Sequence, residues 1–348
     1  MPLAGWAVLG NLWAGGAGTF FNALLTLGLL GCVLAAVHHA EVIAHRLGEP
    51  YGTLVLAVAV TIIEVALIVS LMLSGGPATH ALARDTVFAA VMIILNGMVG
   101  LCLLVGSSRH GEQSFGKYGV NASLATLAAI AVLTMVLPNY TTSTPGPYYN
   151  TAQLAFIAVV SLVLYGTFVL VQTVRHRDYF LPEDPNAPES IHALPPTNSV
   201  ALASLALLLA CLGAVVLLAK ALAPGIESAV SQAGAPKAVV GVIIAFVVLL
   251  PEGLAALRAA RANRLQTSLN LALGSALASI GLTIPAVAIV SIATGWTLTL
   301  GLDAKSSVLL MLSLLVATLS LGTGRTTVLQ GVVHLVIFAT YLFTTVIP

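Results

Sequence analysis

Ala59-Val60-Thr61-Ile62-Ile63-Glu64-Val65 and Val247-Val248-Leu249-Leu250-Pro251-Glu252-Gly253 are the stretches on which both fold and chemistry turn. Each lies in an apolar run long enough to cross lipid, and each carries one glutamate late in that run. An acid near the centre of a spanning helix costs roughly 2.5–3.5 kcal/mol on insertion scales. Two such costs require compensation by protonation, by a polar cavity or by a bound cation. The alternative is pairing with basic side chains across helices, but no Lys or Arg lies deep in any apolar run.

The rest of the 348-residue chain is built in the same way, with 59% hydrophobic and 7% charged residues. A soluble domain carries about 25% charged residues. With a mean hydropathy of +1.04, the natural solvent is the lipid bilayer. A net charge of +1 leaves no electrostatic footprint for nucleic acid. Cys32, Cys102 and Cys211 fall in separate apolar stretches without metal or pairing spacing, and read as small core residues. The N-terminus lacks the basic region and cleavage site of a signal peptide.

A spanning helix needs roughly 20 mostly apolar residues. Ten stretches qualify: 20–45, 51–74, 85–106, 120–138, 151–174, 199–222, 236–257, 266–294, 306–322 and 326–346. A shorter, glycine-rich stretch at 3–16 makes an extra N-terminal helix. The fold class expected is therefore an all-α polytopic membrane protein of ten to eleven helices. Its parts are a short N-terminal helix at 1–18, a five-helix repeat at 19–175, a linker at 176–198 and a second five-helix repeat at 199–348. The linker holds Pro182, Pro185, Pro188, Pro195 and Pro196, which suits an exposed, weakly ordered connection. An odd number of spans per half forces the halves into opposite orientations, the inverted-repeat arrangement of many transporters.

Nine basic residues fall on one side of this topology: Arg46, Arg109, Lys117, Arg175, Arg177, Arg258, Arg261, Arg264 and Arg325. Only four, Arg84, Lys220, Lys237 and Lys305, fall on the other. The positive-inside rule makes the richer side cytoplasmic, and the linker with it, in the plasma (inner) membrane.

Glu64 and Glu252 occupy matching places, each in the second span of its half, and are expected to form one cation and proton site near mid-membrane. Oxygen ligands suit hard cations such as calcium, sodium or potassium. Two facing carboxylates would also bind protons readily, so cation and proton would compete for the same oxygens. Thr61, one turn before Glu64, is a secondary ligand candidate, as is Asn96 in the following span. Ser275, Ser279 and Thr283 share a helical face and could line a cavity, or could bond to their own helix backbone. Asn270 lies on the opposite face and joins the site only if its helix breaks near Gly274; Pro251 withholds a backbone donor just before Glu252, which frees a carbonyl for a cation and leaves a helix break open there. No cofactor is expected, since the cations and protons are cargo.

A titratable cluster closes the first good span: His38, His39, Glu41, His45 and Glu49. Histidine titrates near neutral pH, so these groups are proton-sensing candidates; the bland reading is a polar helix end at the membrane surface. His334, inside the last span, is either a further proton-sensing candidate or a neutral, hydrogen-bonded core histidine.

His39-Ala40-Glu41-Val42-Ile43-Ala44-His45-Arg46-Leu47-Gly48-Glu49-Pro50-Tyr51-Gly52 followed by Ile62-Ile63-Glu64-Val65 resembles the bacterial ChaA-type calcium/proton (sodium/proton) antiporters. So do Pro251-Glu252-Gly253-Leu254, Leu269-Asn270-Leu271-Ala272-Leu273-Gly274-Ser275 and Ser320-Leu321-Gly322-Thr323-Gly324-Arg325-Thr326. The resemblance covers nearly the whole chain and implies the cation/calcium exchanger superfamily. It implies two inverted five-helix repeats and alternating access, with Glu64 and Glu252 as the central ligands. Relatives often carry a longer acidic or histidine-rich linker, and this one is short and mildly acidic. The competing readings are a cation channel and a membrane-embedded metalloenzyme using His38, Glu41 and His45. Neither needs an inverted pair of acids.

Overall fold

The computed structural model describes residues 5–7, 9–10, 19–48, 51–75, 79–181 and 196–348. Among them run ten long helices: α1 (Thr19–Leu47), α2 (Tyr51–Gly75), α3 (Leu82–His110), α4 (Lys117–Tyr140), α5 (Thr151–Arg175), α6 (Asn198–Gln232), α7 (Ala238–Arg261), α8 (Leu265–Thr294), α9 (Ala304–Leu321) and α10 (Val328–Val346). Nine of the described helices are long and apolar enough to cross a bilayer, and α2 adds the apolar stretch Ala57–Leu73. The chain is thus an all-α, multi-pass membrane protein of two five-helix halves, α1–α5 and α6–α10, in inverted order. Of the expected N-terminal helix, residues 5–7 and 9–10 are described and helical. Glu49 and most of the expected linker (182–195) lie outside the described residues.

One expected helix end is corrected, and two positions left open as helix breaks, Pro251 and Gly274, do not break their helices. Helix α6 runs to Gln232 with Pro224 inside it, ten residues beyond the expected end. The small residues there allow it: Gly225 packs against Asn22 of α1, where an added Cβ would lie 3.2 Å from the Asn22 amide nitrogen. Helix α7 continues through Pro251 and α8 continues through Gly274 and Pro285. A proline in a long helix withholds one hydrogen bond, and here packing of the flanking turns keeps the helix going.

The helices form two compact units, each drawing on both halves of the chain. One holds α1, α2, α6 and the part of α7 up to Val248. In it α1 lies along α6, with Cys32, Ala36 and Ala40 of α1 and Cys211 and Ala214 of α6 all buried. Small residues let helices in lipid approach closely. Arg46, closing α1, donates from Nε and Nη2 to Asn198 Oδ1 at the start of α6 (3.0 and 2.6 Å).

The other unit holds α3–α5, α7 from Leu249, and α8–α10. Helix α3 is its buried centre, packed by α8 and α10. Its connections sort onto two faces. On one, Gln113–Ser114 pairs antiparallel with Arg325–Thr326, Gln113 donates to Asn263 (2.7 Å), His110 meets the Arg261 carbonyl (3.1 Å), and Arg325 bridges to Glu112 (3.1 Å). On the other, the Thr299 amide donates to the His80 carbonyl (3.2 Å), Arg84 to the Gly301 carbonyl (2.9 Å), and Asn139 to the Leu302 carbonyl (2.6 Å). The α3–α4, α7–α8 and α9–α10 connections therefore share a face, as the basic-residue count required of them. Helix starts are capped by side chains: Asn150 with Gln153 for α5, Asp303 for α9, and Thr327 with Gln330 for α10.

Candidate functional site

Glu64 lies on α2, only 3% exposed, between the buried Ile63 and Leu67. One turn earlier Thr61 is buried too, and its hydroxyl donates to the Ala57 carbonyl (2.9 Å), leaving its oxygen lone pairs to accept or to ligate. Glu252 is half-buried on α7. Beside it Gly253 faces α3, where an added Cβ would stand 3.3 Å from Cε of Met98.

The hydroxyl face of α8 turns into the protein. Ser279 and Thr283 are buried and Ser275 is half-buried. The Thr283 hydroxyl has no hydrogen-bond partner among the described residues, so it is not spent on its own helix backbone. Asn270 does something else. Because α8 is continuous, Asn270 stays on the other face, where its Nδ2 donates to the Phe180 carbonyl (2.6 Å) and its Oδ1 accepts from Gln266 (3.0 Å). It pins the chain that follows α5, and its place among the secondary cation ligands is withdrawn.

Asn96 is likewise committed elsewhere. It sits in a π turn of α3, Ile93–Met98, and is fully buried. Its Nδ2 donates to Ser313 Oγ of α9 (2.8 Å), and its Oδ1 faces His334 Nδ1 of α10 (3.3 Å). His334 Nε2 meets Ser320 Oγ (2.8 Å). The two candidates Asn96 and His334 are thus members of one core network, and His334 is the hydrogen-bonded core histidine. Ser313 and Ser320 are not among the residues expected at the site from sequence, although their spacing of seven residues puts them on one face of α9.

On α1, His38, Glu41 and His45 are exposed along one face, His39 is half-buried, and the His38 and His39 rings lie 5.5 Å apart. Among the described residues no group of three His, Cys, Asp or Glu could hold a metal ion.

The family model described as sodium/calcium exchanger protein matches residues 17–174 and 203–347, one segment in each half. The chain belongs to the sodium/calcium exchanger family. The exchanger is 55% identical over 327 residues to the y4hA protein of Sinorhizobium fredii, whose name marks it as a candidate ionic transporter, covering 93% of this chain and 88% of that one. It is 38% identical over 325 residues to the sodium-potassium/proton antiporter ChaA of Escherichia coli, with the same coverage of 93% and 88%. Its fold is similar to the solved structure of YfkE, with a TM-score of 0.76 at 18% identity over 99% of this chain and 98% of that one. The exchanger is therefore a secondary active cation transporter and not an enzyme. The channel and metalloenzyme readings give way to that membership.

Proposed function

We propose that the exchanger moves calcium, and sodium or potassium as alternative cargo, against protons, with Glu64 and Glu252 as the carboxylates that take up both. The burial of Glu64 in an otherwise apolar helix carries this reading. An ionised carboxylate there is stable only with a cation or a strong donor beside it, and protonation removes the cost when the cation leaves. One carboxylate thus alternates between two cationic loads, a metal cation and a proton. The antiporter named in Escherichia coli, 38% identical, works with the same two classes of cargo. Thr61, Ser275 and Ser279 add hydroxyl oxygens of the kind hard cations accept. His39, Glu41 and His45 offer titratable groups at the end of α1. The basic face supports a cytoplasmic linker in the plasma membrane. The oligomeric state does not enter the scheme.

The test is cation-driven proton movement in everted vesicles, with calcium, sodium and potassium supplied separately. Glu64→Gln and Glu252→Gln should each abolish exchange while the protein still inserts and purifies. Exchange retained in both variants would remove the two glutamates from the mechanism.

A further inference from the structure

Helix α3 departs from regular α geometry at Ile93–Met98, a π turn in the most buried helix of its unit. A π turn costs helix hydrogen-bond geometry and persists where surrounding contacts hold it. Here two helices, α9 and α10, hold it from one side. Gly100 of α3 and Gly331 of α10 bring the two backbones together: a Cβ on Gly331 would lie 2.5 Å from the Leu104 amide nitrogen, and one on Gly100 2.9 Å from the His334 Cβ. That approach puts His334 Nδ1 at 3.3 Å from Asn96 Oδ1, and Ser313 takes the Asn96 amide at 2.8 Å. Ser313 in turn donates to the Leu309 carbonyl (2.7 Å), and Ser320 meets the far side of the imidazole (2.8 Å). Both ends of the Asn96 carboxamide are therefore fixed, and with them the turn.

The same turn presents Met98 to Gly253, the residue after Glu252. We infer that Asn96 and His334 are positioning residues for Glu252: they brace the π turn of α3, and Met98 on that turn sets the seat of the α7 backbone that carries the carboxylate. The inference rests on Glu252 being a cation ligand. His334 acts here as a neutral hydrogen-bond donor. Asp85 is the one carboxylate on α3, α8, α9 and α10, and it is paired with Arg84 (2.7 Å). A buried imidazolium without an acid beside it would be costly. A seat that loosens spreads the carboxylate over more positions and weakens cation binding, while the transport cycle itself is left intact.

The experiment measures KM and kcat for cation-driven proton movement in proteoliposomes, with four variants beside the native protein. His334→Leu removes the bond to Asn96 and Met98→Ala removes the seat. Each should raise KM about fivefold, equivalent to about 1 kcal/mol, with kcat within about twofold. His334→Asn places an amide N–H near Nδ1 and should restore KM to within about twofold of native with an unchanged pH profile. A pH profile displaced in His334→Asn would overturn the positional reading in favour of a titrating histidine. Native KM in both His334→Leu and Met98→Ala would overturn it outright, and Met98→Ala decides alone if His334→Leu does not fold. Glu252→Gln separates the two readings: activity retained there removes the ligand role of Glu252, whereas inactivity with native KM in the other variants removes only the bracing.

Discussion

Replacing Gly331 by alanine tests the packing on which α3 and α10 depend. The added methyl would lie 2.5 Å from the Leu104 amide nitrogen, 2.8 Å from the Leu104 Cα and 2.9 Å from the Gly100 carbonyl oxygen, all backbone atoms of α3 that cannot rotate away. Ordinary contact needs roughly an ångström more, so the helices must part. Overpacking of this kind costs about 1–3 kcal/mol. The parting also stretches the Asn96–His334 hydrogen bond, already 3.3 Å, and a bond lost there adds about 1 kcal/mol. The expected destabilisation is about 2–4 kcal/mol. The free, buried Cys102 on α3 supplies the assay: in a background with Cys32 and Cys211 replaced by serine, a thiol-reactive dye reports its exposure as detergent-solubilised protein is heated. Gly166→Ala on α5 is the control, because nothing lies within 4 Å of its added Cβ. There the substitution should be neutral or stabilising, by about 0.5–1 kcal/mol. Native melting of Gly331→Ala, or equal loss in both variants, would refute the close approach of α3 and α10.

Asp303→Ala should cost about 1 kcal/mol by removing the N-cap of α9, and Asp303→Asn should keep most of it; both can be read by the same melting assay. Burial pushes the Asp303 carboxyl up, but its hydrogen bonds from Ser306 and the nearby Lys305 and Arg84 outweigh that and hold it below its ordinary value. Its contribution should accordingly be complete above about pH 4 and fade as pH falls through the lowered pKa, and Asp303→Asn should lack that dependence. Asn270→Ala should free the Phe180 carbonyl and raise hydrogen exchange around His176–Phe180 without changing cation KM; a raised KM would return Asn270 to the cation site.

Much of this molecule was legible residue by residue. The composition forced a lipid environment, and ten apolar runs appeared within a few residues of their observed ends, α6 excepted. Glu64 and Glu252 stood out because a charge in an apolar run is costly wherever the helices go. The secondary ligands were less legible. Asn96 and Asn270 are polar residues in apolar helices and looked alike in sequence, yet one braces a π turn and the other holds the segment after α5. Thr61 and Thr283 also looked alike, yet one hydroxyl bonds to its own helix and the other does not.

Hydropathy and charge act locally and additively along a helix, so by themselves they pointed to the lipid solvent, to the apolar spans and to the two acids proposed as ligands. Hydrogen-bond partners come from helices that are distant in sequence, and no local property names them. Ser313 lies 217 residues from Asn96, and His334 lies 238 residues from it. Only tertiary packing, through Gly100 and Gly331, decided that these side chains meet and that both ends of the Asn96 carboxamide are spent on them.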